Sequence, residues 1–216
     1  AVNIIPMGVV ILLVTGVRCN SESGSAQQEP KIAPSFEEFY STNEKIYSCA
    51  LTGYSPMPCK TDSNYTTREV GTHSLQRFFQ YIYIDRFYKR HSRWRNEEVS
   101  LRSYGGKRNT VVVTYTDKQV STEALDYVSS DLNCSFFSFA FRGHDQASTA
   151  IEFRRRSSII GTTREEKCFE ELKTSALALA QSRGKDLPEL SKVKFSDCKQ
   201  FCEEQYSRPS EVTSAD

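Results

Sequence analysis

The chain has 216 residues, and its 28 Lys and Arg against 27 Asp and Glu give a formal net charge of +1. This length suffices for one domain with a genuine core. A charge near zero argues against nucleic acid as a partner, because phosphate binding needs a basic excess. The 13 Phe, 11 Tyr and 1 Trp fit either an aromatic-lined cavity or a Phe- and Tyr-rich sheet with ordinary packing.

The chain opens with an apolar run from Ile4 to Val17. Crossing a bilayer takes about 20 apolar residues, so the run is too short for a span but has the length of a signal-peptide core. It lacks an initiating Met and a basic start, so we expect it to be truncated. Val17 and Cys19 suit a cleavage after Cys19, which predicts a signal peptide over residues 1–19. We therefore expect a secreted, extracellular protein with no membrane partner.

Cleavage there leaves an even set of cysteines that can all pair in an oxidising compartment. Six thiols allow 15 pairings, and spacing alone does not choose among them. The sequon Asn64-Tyr65-Thr66 predicts glycosylation at Asn64, in agreement with secretion. The six cysteines are Cys49, Cys59, Cys134, Cys168, Cys198 and Cys202.

Residues 20–33 are rich in Ser, Gln, Glu and Pro and are predicted to be a flexible leader segment. Ser35 is expected to cap a short helical turn, with Glu38 completing a capping box. Strand-like segments then follow, separated by turn residues at hairpin length. Eight strands with short connections predict an antiparallel meander that can close into a barrel around a small ligand. The predicted strands are 45–54, 65–70 (the weakest), 75–87, 98–104, 110–116, 122–129, 134–141 and 149–155.

After the strands, apolar residues recur at helical spacing from Thr163 to Ser182, with a capping box at the start and Gly184 at the end. The polar face of this helix predicts a position outside the barrel. Strands first and one helix last is the lipocalin order. The predicted fold is therefore mainly β, an eight-stranded antiparallel up-and-down lipocalin barrel over residues 34–205 with a C-terminal α-helix packed outside. Residues 206–216 are predicted to be a disordered tail.

In this arrangement the chain resembles the tick salivary lipocalins, which include the histamine-binding proteins. The resemblance covers most of the mature chain and is clearest over residues 110–141, with their Thr-Asp turn, Ser-Asp turn and Asn-Cys strand. Glu44-Lys45-Ile46-Tyr47, Cys168-Phe169 and the segment 193–198 add to it. The resemblance implies release in saliva and removal of inflammatory signals from the host.

The resemblance also implies a disulfide pattern. It pairs Cys134 with Cys168, which would clamp the helix to the barrel wall. It also pairs Cys59 with Cys198, which would tie the tail across the barrel, and so leaves Cys49 to pair with Cys202.

The signature of the family's amine-binding members is altered in this chain. Those members carry Cys-Asp-aliphatic and later Glu-Leu-Trp or Glu-Leu-Tyr. Here Cys134 is followed by Ser and Phe, and the later element reads Ile-Glu-Phe, with Glu152 displaced by one position. In a strand, such a shift turns the carboxylate to the other face. An amine needs a carboxylate and aromatic faces, so Glu152 or Asp126 would have to serve instead.

The predicted strand 75–87 supplies most of the candidate ligand residues. Phe79, Tyr81 and Tyr83 share one face, whereas Ile82 and Ile84 share the other. Either face could line the cavity, although the tyrosine face suits an amphipathic ligand. We expect Ile82 and Ile84 to pack under the helix. The candidate ligand-binding residues are Phe79, Tyr81, Tyr83, Tyr115, Asp126, Tyr127 and Glu152.

Two basic segments stand out. Cations from Arg86 to Arg95 surround Trp94 in a predicted hairpin connection, which is either a solvated loop or a binding surface for a sulfated glycan or an acidic protein. The run Arg154-Arg155-Arg156 ends a strand and is expected to face water.

Features typical of an enzyme are missing from the sequence. His73, His91 and His144 lack metal-ligand spacing, and no hydrolase, phosphate-loop or dinucleotide fingerprint occurs. We therefore expect no catalytic residues, no metal and no cofactor. The predicted function is that a monomer sequesters a small host mediator, either a biogenic amine such as histamine or serotonin, or an eicosanoid-type lipid. The alternative is a barrel whose loops, notably 87–98, bind a host protein such as a complement component. An open cavity favours the first reading and a filled one favours the second.

Overall fold

The computed structural model describes residues 35–142, 147–182 and 188–196, together with Cys198 and Cys202. The predictions for the signal peptide (1–19), the leader segment (20–33) and the tail (206–216) lie outside these residues. None of the helices within the described ranges is long and apolar enough to cross a membrane.

Eight strands form a closed barrel in which each strand pairs with the next along the chain and β8 pairs with β1. Every pairing is antiparallel. This confirms the predicted fold, including the bounds of the long helix. The elements are α1 (Phe36–Tyr40), β1 (Ile46–Gly53), β2 (Cys59–Glu69), β3 (Thr72–Ile84), β4 (Arg90–Ser103), β5 (Thr110–Thr114), β6 (Val120–Val128), β7 (Cys134–Arg142), β8 (Ala147–Arg156), a 3₁₀ turn (Ser157–Ile159), α2 (Thr163–Ser182) and α3 (Pro188–Lys192).

Two strands begin six or more residues earlier than the sequence predicts. β2 begins at Cys59 and β4 begins at Arg90, whereas the predicted strands began at residues 65 and 98. Both missed segments are polar and were interpreted as loop. They are strands because β1 and β3 pair with the start of β2, and because β3 pairs with β4 along its whole length.

Helix α1 closes one end of the barrel. The Ser35 hydroxyl accepts a 3.5 Å hydrogen bond from the Glu38 amide, as the capping pattern predicts, and the Phe36 amide donates to the Arg108 carbonyl at 2.9 Å. The rings of Phe36 and Phe39 pack against Phe137 from inside the barrel, with centroids 5.9 and 5.8 Å from its ring. The other end, which α1 does not cover, carries the β1–β2, β3–β4 and β5–β6 connections.

Helix α2 packs outside the barrel on β6 and β7, as predicted. Its Phe169 meets Phe136 and Phe153 edge-on, at centroid distances of 5.9 and 5.2 Å. The expectation that Ile82 and Ile84 lie under this helix is wrong, because β3 is on a different side of the barrel. Ile82 is buried, and its amide donates to the Pro56 carbonyl of the β1–β2 connection, whereas Ile84 is exposed.

Three disulfides are present, and one of them has the expected partners. Cys134, the first residue of β7, joins Cys168 on α2. The other two expected pairings are wrong, because Cys49 joins Cys198 and Cys59 joins Cys202. Cys49 and Cys59 are directly opposite each other on β1 and β2, so the C-terminal segment is fastened at two adjacent points on one wall.

Strands β3 and β4 extend beyond the rest of the barrel as a two-stranded finger, which we define as residues 80–95. The β2–β3 ladder reaches only to Phe79, and the β4–β5 ladder starts only at Ser100. Between these points β3 and β4 pair solely with each other in the described ladders. The finger forms one side of the open end, which we call the barrel mouth.

Candidate functional site: the barrel interior and its mouth

The barrel interior holds a cluster of charged side chains at mid-height, which the sequence analysis did not predict. The carboxylates and cations are equal in number, and every one of these residues is at most 1 % exposed. Buried charges are tolerated in proteins when they are paired and hydrogen-bonded. We call this set the ion cluster; its members are Lys60, Asp62, Arg77, Glu123, Glu152 and Arg154.

Arg77 and Glu123 form the centre of the ion cluster. The Arg77 guanidinium donates to both Asp62 oxygens at 2.7 and 2.8 Å and to Glu123 at 2.6 Å. Glu123 also lies 2.7 Å from Arg154 and 3.7 Å from the Lys60 ammonium. Each carboxylate of the pair Asp62 and Glu123 therefore has a guanidinium partner within the barrel.

Glu152 completes the cluster. It accepts hydrogen bonds from Lys60 at 2.6 Å and from the Arg154 guanidinium at 2.6 and 3.1 Å. The two cations also lie over aromatic rings, Lys60 at 4.1 Å from the Phe139 centroid and Arg154 at 3.9 Å from that of Phe137. The expectation that Arg154 and Arg155 face water is wrong, because Arg154 belongs to this cluster and Arg155 pairs with Glu165 of α2.

The electrostatics of the cluster follow from burial and charge pairing together. Burial alone would raise the pKa of Glu123, but the charges of Arg154, Arg77 and Lys60 outweigh it and hold that pKa well below its usual range. Burial lowers the pKa of Lys60, against the opposing effect of Glu152 and Glu123. The Glu123 carboxylate is thus ionised at neutral pH, and each carboxylate of the ion cluster is in contact with the chain's own cations.

Aromatic rings fill the barrel between the ion cluster and the mouth. The Phe79 ring lies 5.7 Å from Tyr115 and 6.4 Å from Tyr81, and Phe141 lies 6.2 Å from Tyr115. Phe79, Tyr115 and Phe141 are at most 3 % exposed. Met57 of the β1–β2 connection is buried in the same core. The rings therefore pack against one another at this depth, and almost none of their surface is accessible to water.

The mouth above these rings combines tyrosine faces with a cation. Tyr81 and Tyr83 are stacked at 6.2 Å, and the Arg93 guanidinium lies 5.9 and 5.5 Å from their centroids. Gln119 donates to the Tyr81 hydroxyl at 3.2 Å. Among the described residues, Arg93 has no carboxylate within 4.0 Å. Its neighbour Arg95 does, because it pairs with Glu97 and Asp117.

Five of the seven candidate ligand residues lie on strand faces that point into the barrel or its mouth. Phe79 and Tyr81 belong to the inner core, Tyr83 is on the same face of β3 but 36 % exposed in the finger, and Tyr115 and Glu152 are buried. Tyr115 accepts a hydrogen bond from Arg77 at 2.9 Å.

Asp126 and Tyr127 are not brought to the interior. Asp126 is on the exposed outer surface and accepts a 2.5 Å hydrogen bond from Ser138, and Tyr127 packs with the residues under α2. Asp126 faces outward by simple alternation with the inward Leu125, whereas an irregularity in the β6–β7 register between Leu125 and Tyr127 puts Tyr127 on the outer face and Val128 on the inner one. The predicted glycosylation site Asn64 is exposed on β2.

Sequence reasoning missed Lys60, Asp62, Arg77 and Glu123, although a signal was present. Arg77 alternates with Leu75 and Phe79 on one strand face, and Glu123 precedes Leu125 on another. A charged residue within an apolar strand face indicates a buried, paired ion rather than a solvated one. Arg93 was missed because its segment was interpreted as a loop.

A cleft of about 570 Å³ lies on the outer side of the barrel wall, beside the strand ends that border the mouth. It separates α3 from the outward-facing residues of β1, β6, β7 and β8, which are small at this place, for example Thr122, Ser138 and Ala140. In the described part of the chain, no three His, Cys, Asp or Glu side chains are grouped as a metal site would require.

No family model and no curated protein matches the chain. Among solved structures, the bovine lipocalin allergen Bos d 2 is 12 % identical over 71 % of this chain and 91 % of its own, with a TM-score of 0.42. The siderocalin Ex-FABP is 11 % identical over 68 % and 89 %, with a TM-score of 0.40. Bovine odorant-binding protein in complex with undecanal is 14 % identical over 74 % and 92 %, with a TM-score of 0.36. The barrel assignment rests on the closed strand order, not on these likenesses.

Proposed function

We propose that the protein is a secreted, non-enzymatic binder that sequesters a small amphipathic mediator of the eicosanoid or fatty-acid class at the barrel mouth. The observation that carries the proposal is Arg93, a cation over the faces of Tyr81 and Tyr83 with no carboxylate of its own among the described residues. An anionic head group supplies the missing partner, and the tyrosine faces take the hydrocarbon.

The ion cluster argues against an amine as the ligand. An amine needs a carboxylate as its counter-ion, and the predicted counter-ion Glu152 is held by Lys60 and Arg154. A bound amine would add a fourth cation to an enclosed set of three carboxylates and three cations, which leaves one buried positive charge uncompensated and is strongly unfavourable. Histamine and serotonin are therefore expected to bind less well than an anionic lipid.

The physiological role in this proposal is stoichiometric. A mediator held by the protein is withdrawn from its receptor by mass action. The resemblance to salivary lipocalins supplies the setting, which is suppression of host inflammation. The three disulfides support an oxidising, extracellular compartment.

Calorimetric titration with a leukotriene, a long-chain fatty acid, histamine and serotonin tests the proposal. We expect binding of the two anionic lipids and weaker or no binding of the amines. Arg93→Gln removes a charged hydrogen bond worth about 1.5–3 kcal/mol, so affinity should fall roughly 10- to 100-fold. Arg102→Gln is the matched control, because Arg102 is exposed on the same strand, near the end opposite the finger. Equal losses in both variants would contradict the proposal.

A pair of substitutions on β3 separates ligand contact from packing. Tyr83→Ala, on the mouth face, should weaken lipid binding by roughly 3- to 10-fold, since an aromatic contact adds about 0.5–1.5 kcal/mol beyond its buried area. Ile82→Ala, on the buried outer face, should leave affinity unchanged and lower the free energy of unfolding by about 2–4 kcal/mol. If Ile82→Ala loses affinity instead, the opposite face of β3 is the ligand wall.

Binding of a host protein through the loops is the second candidate function. The closed packing of Phe79, Tyr115 and Phe141 favours it, because a barrel that is filled below its mouth needs no small ligand. The same titrations separate the two. If no amine or anionic lipid binds at concentrations up to the millimolar range, small-ligand capture fails and loop-mediated binding remains.

A further inference from the structure

We propose that the tip of the finger binds the surface of an anionic lipid bilayer, inserting Phe87 and Tyr88 between the head groups. We define the tip as residues 84–90, which lie beyond the mouth residues Tyr83 and Arg93 along the finger. This second site departs from the expectation of no membrane partner. The finger presents apolar and cationic groups together at the point that projects farthest from the barrel ladders.

The exposure of the tip residues is the first observation. Tyr88 is 92 % exposed and Phe87 is 65 % exposed, and Ile84 beside them is 55 % exposed. Single exposed apolar residues are common, but a group of large apolar side chains exposed together and rimmed by polar residues marks a protein or membrane interaction site. Phe and Tyr with flanking cations are typical of segments that sit in the membrane interface.

The charge of the tip is the second observation. Arg86, Lys89 and Arg90 are all exposed around the two aromatic residues, and the Arg86 guanidinium lies 4.8 Å from the Phe87 centroid. The only carboxylate at the tip, Asp85, faces inward to the turn and to His91, which it meets at 2.8 Å. Basic residues near an anionic leaflet each add attraction that falls off within a Debye length.

The turn that carries these residues is hydrogen-bonded internally. The Asp85 carboxylate accepts hydrogen bonds from the amides of Phe87 and Lys89 at 2.8 and 2.9 Å, and the Tyr88 amide donates to the Asp85 carbonyl at 3.0 Å. Tyr88 has a φ of 61°, a left-handed conformation that a bulky residue adopts at a cost and that Asn or Gly adopts readily. If the geometry of the turn were the sole constraint at this position, Asn or Gly would be favoured. The tyrosine therefore indicates that its side chain has a function.

An acidic protein or a sulfated glycan would also meet the cations, but neither requires Phe87 and Tyr88 to project beyond them. We therefore favour the bilayer. The test is co-sedimentation of the full chain with vesicles of phosphatidylcholine alone and with about 30 % phosphatidylserine. We expect binding to the anionic vesicles only, weakened by salt. Each cation near an anionic surface contributes about 1 kcal/mol of attraction. Changing Arg86, Lys89 and Arg90 together to Gln should therefore reduce partitioning into the vesicles about 100-fold.

Insertion is measured with a single tryptophan. In a Trp94→Phe background, Phe87→Trp should show a blue-shifted emission on adding anionic vesicles. Tyr104→Trp, at an exposed turn at the other end of the barrel, is the matched control and should show none. The proposal would be overturned by a blue shift in both variants or by the absence of binding to anionic vesicles. It would also be overturned if the protein bound vesicles or heparin while Phe87→Trp showed no shift.

Tyr88→Asn separates a membrane role from a structural one. Because Asn suits the left-handed position, the variant should keep or raise the melting temperature while its partitioning into anionic vesicles falls several-fold. Unchanged partitioning would overturn the role of Tyr88. Lipid titration at the mouth is independent of this result, since Arg93→Gln should leave vesicle binding of the tip in place.

Discussion

Replacing Glu123 by Gln tests whether the ion cluster stabilises the fold as a balanced set. The variant keeps the shape of the side chain but leaves three cations facing two carboxylates in an interior with no water-accessible surface at Glu123. It removes the acceptor of Arg77 at 2.6 Å and of Arg154 at 2.7 Å. Breaking a buried ion pair costs about 3–5 kcal/mol, which is a large part of a domain's total stability of about 5–15 kcal/mol. Urea unfolding at pH 7 with the disulfides intact measures the loss.

The pH dependence of that loss has a defined sign. Since the pKa of Glu123 is held well below its usual range, its contribution is fully present above the unfolded carboxyl pKa of about 4.3 and declines as pH falls through the lower folded value. The difference between wild type and Glu123→Gln should therefore shrink toward strongly acid pH. Glu98→Gln is the control, because its ion pair with Arg68 is exposed on both sides and such pairs contribute about 0–1 kcal/mol.

The decisive variant restores the charge balance. Lys60→Met in the Glu123→Gln background leaves Arg77 with Asp62 and Arg154 with Glu152, each pair still in hydrogen-bond contact. This double variant should recover part of the stability that the single variant loses. If Glu123→Gln loses less than about 1 kcal/mol at pH 7, or if the double variant is the less stable of the two, the cluster is not a balanced unit and the reasoning fails.

Two further predictions concern the covalent and backbone constraints. Replacing Cys134 and Cys168 together by Ser opens a link between residues 34 apart and should reduce the urea-derived free energy of unfolding by about 3–4 kcal/mol in the chain-entropy picture; no change would mean that helix packing alone fixes α2. Gly53→Ala should reduce it by about 2–5 kcal/mol, since a Cβ added at its φ of 75° would lie 2.1 Å from the Thr149 carbonyl oxygen. Gly105→Ala, at a φ of 58° with nothing within 4 Å, should lose only about 1–2 kcal/mol, and equal losses at the two glycines would refute the close-contact argument.

The barrel could be predicted from the sequence wherever polarity follows the two-residue period of a strand with an apolar inner face. This holds for β5 and β7, whose bounds were predicted to within two residues. It fails for the first half of β2, because Lys60 and Asp62 point inward and make the segment polar throughout. The prediction that Arg154 and Arg155 face water is wrong for a related reason. Arg154 is buried in the barrel and Arg155 under α2, so both faces of this strand end are charged and enclosed.

The disulfides show where the resemblance holds and where it fails. The pairing of Cys134 with Cys168, which only the resemblance implied, is present and joins the start of β7 to α2. Cys49 and Cys59 are side by side on neighbouring strands, and both of their partners come from one short C-terminal segment. Cys198 and Cys202 are only four residues apart. The spacing therefore allows Cys49 to pair with either of them and Cys59 with the other. The choice depends on the direction in which the segment crosses the wall, which no local pattern contains.

The ion cluster shows why a residue type at a plausible position does not establish a ligand contact. Glu152 matches the need of an amine in charge and lies inside the barrel, yet its partner Lys60 is 92 residues away in sequence and is invisible to any motif. Once Lys60, Arg77 and Arg154 are placed, the charge available to a cationic ligand in the interior is zero. The Arg93 guanidinium at the mouth has no carboxylate within 4.0 Å among the described residues, and for this reason we propose an anionic ligand rather than a cationic one. Charge balance within the enclosed volume, rather than the presence of a carboxylate, decides which ligand the barrel can accept.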